Sequence, residues 1–312
     1  MLRRWALPAG LMAVPVALAV AVVMLSLRTG LWASTWTLLV PTLVGAVVGA
    51  LLAGPRPGSV IGWLLLASGV PFLVGMVAEQ VAYLGLVTSP GSALGATAAL
   101  WLSNWIFPPA LIPLFLFVPL TFPDGRLPSR RWMPVVVSSV ALAVVLVVFG
   151  AFGTNSLLLQ GQHWPNPYVV PGLSSVGPAV ITAATLGVLA CCIAAVASLL
   201  VRWRSADPRV RSQIMWVVLA LLVMAIGFGV DAALALLAPT LYPTVFPVLQ
   251  LVPVVVPVAI AIAVLRHQLF DIEIVVRRLA TYLALTAVLL AIYVAAAVGG
   301  PRSCPDRTVR HG

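Results

Sequence analysis

The chain has 312 residues, 62% hydrophobic and only 8% charged, with a mean hydropathy of +1.15 and a formal net charge of +10. Soluble domains carry about 25% charged residues, and seven acidic and seventeen basic side chains cannot cover a globular surface, so a water-soluble fold is excluded. The positive charge does not point to nucleic acid, because the basic residues, all arginine, are dispersed between apolar segments rather than gathered in a basic domain.

Apolar runs fall at about 7–27, 31–53, 60–87, 95–120, 134–153, 176–201, 213–238, 244–265 and 279–298. Each matches the roughly 20 residues that a helix needs to cross a bilayer. A transmembrane strand would be about 10 residues long and would alternate in polarity, whereas these runs are apolar on every face. The fold class expected is therefore all-α, a polytopic bundle of about nine spanning helices over residues 1–298, followed by an irregular tail at 299–312. The first run follows Arg3 and Arg4 and resembles a signal peptide, but the eight further spans favour an uncleaved signal anchor.

Short arginine-rich loops stay cytoplasmic. With the N-terminus inside, the cytoplasmic segments hold thirteen arginines and the intervening loops hold Arg28 alone, through the eighth span. The location expected is the plasma membrane, multi-pass, with a cytoplasmic N-terminus. The ninth span breaks the alternation, since it places Arg302, Arg307 and Arg310 outside. Either that segment does not cross or the chain is truncated before a tenth span. The abrupt change of composition in PRSCPDRTVRHG favours truncation or out-of-frame coding.

Ionisable residues inside spans are costly and mark functional sites. Glu79 lies two-thirds along the third run and Asp231 in the outer third of the seventh. As a pair lining an outward cavity they would sense protons or a ligand; the plainer reading, which carries more weight, leaves them hydrated or bonded to neighbouring hydroxyls. The outer loop from Thr154 to Ser175, with His163, is the longest candidate ligand surface. His163 is too isolated for a metal site, and Cys191, Cys192 and Cys304 have neither metal nor disulfide spacing, so no metal and no cofactor are expected. Nucleotide-binding, zinc-protease and serine-hydrolase signatures are missing, and no catalytic residue is assigned.

Prolines crowd the fourth run (Pro108, Pro109, Pro113, Pro119) and the eighth (Pro243, Pro247, Pro253, Pro257), where kinks are expected. Gly45 and Gly49 form a GxxxG that permits close helix approach and association. Tryptophans near span ends read as headgroup anchors.

Two segments are more distinctive. Thr121-Phe122-Pro123-Asp124-Gly125-Arg126 is a tight turn followed by Arg130 and Arg131, and Leu265 to Leu279 reads LRHQLFDIEIVVRRL. With Ile61-Gly62-Trp63 opening the third run and Arg209-Val210-Arg211 opening the seventh, they resemble the multi-span sensory region of actinobacterial two-component sensor histidine kinases. That family reads LRYRLYDIDxVIxRTLVY at the second segment, so Leu265, Arg266, Leu269, Asp271, Ile272, Val275, Arg278 and Tyr282 fall on matching positions. The resemblance extends to about residue 298 and implies a membrane-embedded signal-input region without the phosphoacceptor and ATP-binding domains. It also implies a signal-coupling role for Arg266, Asp271, Glu273, Arg277 and Arg278, with Pro123, Asp124, Gly125 and Arg126 as a second cytoplasmic motif. Chemically, arginines at anionic headgroups and apolar residues in the interface suit a coupling element. The partners implied are the lipid bilayer and either a homodimer or an intact kinase, with a response regulator only where kinase domains exist. The alternatives are a small-solute permease that uses Glu79 and Asp231, or another polytopic membrane protein, such as a scaffold with no ligand.

Overall fold

The computed structural model describes residues 3–265, Pro239 apart. Eight helices among them are long and apolar enough to cross a membrane: Gly10–Thr29, Trp32–Ala53, Val60–Thr88, Ala96–Thr121, Arg130–Phe152, Gly177–Ser205, Pro208–Leu237 and Val245–Val264. The protein is an all-α polytopic helical bundle. The ninth apolar run, 279–298, and the tail lie outside the described residues.

Helix α1 (Arg3–Thr29) turns into α2 (Trp32–Ala53) through Gly30, whose φ of 76° lets the chain reverse within two residues. Helix α3 (Val60–Tyr83) starts at Ser59, whose hydroxyl accepts the Gly62 N–H at 3.3 Å and satisfies one of the free donors of the first turn. It runs on as a π-helical turn, Leu84–Thr88. Helix α4 (Ala96–Ile112) widens into a second π turn at Pro113–Phe117 and closes with the short α5 (Val118–Thr121). Pro113 brings no N–H to the ladder, and the loosened turn follows.

Helix α6 (Met133–Phe152) leads to a hairpin of β1 (Ser156–Leu159) and β2 (Gln162–Pro165), then to the single turn α7 (Pro171–Ser174). Helix α8 (Gly177–Ser205) and α9 (Pro208–Leu237) follow, the latter with Pro208 in its first turn after the extended Asp207. The eighth apolar run is broken: α10 (Tyr242–Leu249) ends before a 3₁₀ turn at Val252–Val254, and α11 (Val255–Leu265) begins after it. Pro253 removes a hydrogen bond to the Leu249 carbonyl that would have joined the halves.

Successive spans run antiparallel, so the bundle has a hairpin end, with β1 and β2, and a turn end, with Thr121–Arg126. Arg56, Arg126, Arg130, Arg131, Arg202, Arg204, Arg209 and Arg211 fall at the turn end, while Arg28 is the one described arginine at the hairpin end.

Small residues set a close contact between α2 and α3. A Cβ on Gly62 would lie 2.6 Å from the Ala53 backbone nitrogen, and one on Gly49 would lie 2.9 Å from the Gly62 carbonyl oxygen. The GxxxG of α2 is thus spent inside the molecule: Gly49 faces α3, and Gly45 faces Pro257 of α11 at 3.9 Å. Ala46, Val47, Val48, Ala50 and Ala53 beside them are buried. This face is therefore already occupied within the chain.

Gly62→Val is expected to lower the thermal unfolding midpoint in detergent, because overpacking of this kind costs about 1–3 kcal/mol. Gly10→Val, where a Cβ meets nothing within 4 Å, serves as the control and is expected not to lower it.

Candidate functional site

The hairpin is held by its two-residue loop and by the helices beneath. Gln160 and Gly161 both take positive φ, 47° and 79°, the turn whose twist matches that of paired strands. Leu159 opposes Gln162 and Leu157 opposes Trp164 in the antiparallel register. Leu157 and Leu159 are fully buried against Ala82 and Leu100, with Trp101 and Trp164 packed around them.

Asn104 of α4 acts as a surrogate strand, its Nδ2 donating to the Leu158 carbonyl at 3.1 Å and its Oδ1 accepting the Leu158 N–H at 2.8 Å. Asn166, 4% exposed, closes the loop by donating to the Ala151 and Thr154 carbonyls at 3.0 and 2.9 Å. Trp101 donates to the Ala151 carbonyl at 2.8 Å and stacks edge-on against Tyr168 at 5.0 Å. It is a packing residue of the cap more than a headgroup anchor.

At the tip, Gln160 Nε2 donates to Glu79 Oε1 at 2.8 Å. Glu79 thus meets the outer loop, as its position in α3 allows. Its neighbour Gln80 is 3% exposed; its Oε1 accepts from Thr29 Oγ1 at 2.7 Å and its Nε2 donates to Thr35 Oγ1 at 3.0 Å, tying α1, α2 and α3 together. Exposed His163 lies with Nδ1 3.3 Å from Ser156 Oγ, within the hairpin. Among the described residues no group of three or more His, Cys, Asp or Glu is placed to hold a metal.

Asp231 stands elsewhere at the same end. It lines a cavity of about 220 Å³ between α9, α10 and α2, and Glu79 is not part of that lining. The structure does not bring the two carboxylates together. Gln250, in the break after α10, accepts from Thr37 Oγ1 at 2.5 Å and so fastens the broken span to α2. Burial first, and then the charge and hydrogen bond of Asp231, hold the Tyr242 phenol above its usual range, so it keeps its proton and donates to that carboxylate.

At the turn end, Arg202 of α8 does what the sequence pattern did not reveal. Its Nη1 donates to the carbonyls of Phe122 at 2.5 Å and Thr121 at 3.4 Å, and its Nη2 to those of Arg126 at 2.6 Å and Leu120 at 3.2 Å. The last carbonyls of a helix have no partner within it, and one guanidinium with five donors serves several at once. Asp124, exposed beside it, adds charge attraction. The Phe122–Pro123 bond is cis, Phe122 is fully buried, and Gly125 takes φ 71° with its α-carbon close to Val60 of α3. Pro123, Asp124, Gly125 and Arg126 form one turn that touches α3 through Val60 and α8 through Arg202. Arg266, Asp271, Glu273, Arg277 and Arg278 lie outside the described residues.

Comparison with known proteins found no match to any family model, curated protein or solved structure.

Arg202→Gln is expected to raise amide exchange at Phe122 and Gly125 by tenfold or more, since hydrogen bonds to a charged donor contribute about 1.5–3 kcal/mol; hydrogen-exchange mass spectrometry reads it. Asn104→Ala leaves the Leu158 N–H without its partner, and a selective rise in exchange over 156–165, with the turn end unchanged, is the expected result.

Proposed function

We propose that this chain is the membrane-embedded signal-input region of a two-component sensor histidine kinase, working as a homodimer or beside an intact kinase. The observation that carries the proposal is that α3 and α4 join both ends of the bundle. At the hairpin end α3 offers Glu79 and α4 offers Asn104; at the turn end Val60 of α3 touches Gly125, and the α4–α5 span ends at Thr121 in the grip of Arg202. A ligand that moves the hairpin pulls on the same two helices that seat the turn. The π turn at Pro113–Phe117 provides a deformable place between them. The sequence resemblance of Thr121–Arg126 and of 265–279 to sensor kinases supports the same reading, with the 265–279 segment as the relay to the kinase. In this orientation the hairpin end is external and the arginine-rich turn end cytoplasmic.

A small-solute permease is the second reading, favoured by the break between α10 and α11 beside Asp231, because discontinuous helices line transport sites. Transport sites of that kind lie near the bilayer midplane. Thr37, which binds the break, is five residues into α2, about 7.5 Å along a helix rising 1.5 Å per residue, against about 15 Å to the centre of a 30 Å hydrocarbon core.

The test deletes the gene in its host and restores it as wild type, as Arg202→Gln, or as Glu79→Gln with Asp231→Asn. Phosphorylation of all response regulators and uptake of a solute panel are then measured. The input-region reading expects deletion to change the phosphorylation of at least one regulator, with Arg202→Gln behaving like the deletion. Uptake that fails in the double carboxylate variant while every regulator stays unchanged would establish the permease instead.

A further inference from the structure

We propose that the cavity between α9, α10 and α2 binds a small lipophilic monoamine, with Asp231 as its counter-ion. Gly227 begins the site: a Cβ there would lie 2.9 Å from Val252 Cγ1, so glycine alone lets the broken segment close against α9. Asp231 stands four residues on, on the same helical face, and lines the space so enclosed. Apart from Gln250, whose Oε1 is taken by Thr37, the remaining walls are apolar, chiefly Leu38, Met224, Phe228, Phe246 and Leu249.

Asp231 lines the cavity, while its Oδ1 is packed away from solvent and, among the described residues, has no hydrogen-bond partner. A buried carboxylate oxygen without a donor is costly, and Tyr242 answers only part of that need. Among the described residues no arginine lines the cavity, and a cation brought from outside would supply the charge it lacks. The Phe228 and Phe246 rings favour an ammonium over a metal ion, because ring faces attract organic cations and the cavity offers no second carboxylate for a metal shell. The volume of about 220 Å³ is below the roughly 300–1,000 Å³ of drug-sized sites, which limits the ligand to something near a phenylalkylamine. Phe228 is 54% exposed on the apolar flank of α9, so such a molecule reaches the site through the hydrocarbon, where its uncharged form partitions.

This deepens the input-region reading by naming a ligand class, but its test reads binding without any signalling output, so either can fail alone. The full chain is reconstituted in lipid nanodiscs and titrated calorimetrically with 2-phenylethylamine and with its neutral counterpart 2-phenylethanol, empty nanodiscs serving as background. Saturable amine binding is expected in the wild type, weakened about thirtyfold or more by Asp231→Asn, as loss of a buried charge partner implies. The alcohol is expected to bind weakly and equally to both. Leu249→Trp, which fills the space and keeps the carboxylate, is expected to abolish amine binding at an unchanged thermal midpoint, and it decides the matter should Asp231→Asn fail to fold. Absence of saturable binding, equal binding by Asp231→Asn, or alcohol binding as tight as amine binding would each overturn the proposal.

Discussion

Hydrocarbon offers no water to a backbone N–H or C=O, and every feature of this bundle answers that fact. Where a span is continuous, the helix satisfies its own backbone. At the end of one span and at the hairpin, a polar side chain from another element supplies what is missing. Arg202 of α8 answers for the end of the α4–α5 span by serving four carbonyls, and Asn104 of α4 gives the first strand of the hairpin both a donor and an acceptor. Where α10 gives way to α11 the tie is between side chains, Thr37 Oγ1 donating to Gln250 Oε1.

The same constraint explains how the helices find one another. Lipid tails are as apolar as leucine, so association depends on close packing and on polar contacts. Gly49 and Gly62 bring α2 and α3 within backbone contact, and the buried Thr29–Gln80–Thr35 knot pins those two helices to α1. These contacts gather the first three helices, α1 meeting α3 directly through Thr29 and Gln80. The hairpin and Arg202 tie segments roughly 50 to 80 residues apart, and the Thr37–Gln250 bond joins α2 to the broken span over 213 residues.

Much of the architecture is legible in the amino-acid order. Long apolar runs admit only helices, and Pro-Asp-Gly announces a turn because each residue suits a tight reversal. The hairpin was also written there, in Leu-Leu-Leu-Gln-Gly-Gln-His-Trp: a Gln-Gly pair between residues that alternate in burial is a two-residue turn. It escapes notice because glutamine seldom takes positive φ, and the packing of Leu157 and Leu159 onto Leu100 imposes it. Prolines predict kinks in α4 and in the eighth span, yet not that one becomes a π turn and the other a complete break.

Composition and the order of apolar runs by themselves determined that this is a polytopic helical membrane protein, since hydropathy is a property of each segment alone. Pairings between segments belong to tertiary structure. Arg202 counts in the sequence merely as one more arginine at a membrane edge, and Gln80 as a polar residue beside the more conspicuous Glu79. Glu79 and Asp231 look like partners because both are acids in spans, but the fold gives one to Gln160 and the other to an apolar cavity. The physical reason is that a hydrogen bond depends on a distance of about 3 Å between two atoms, and only the packing of the helices decides which side chains come that close.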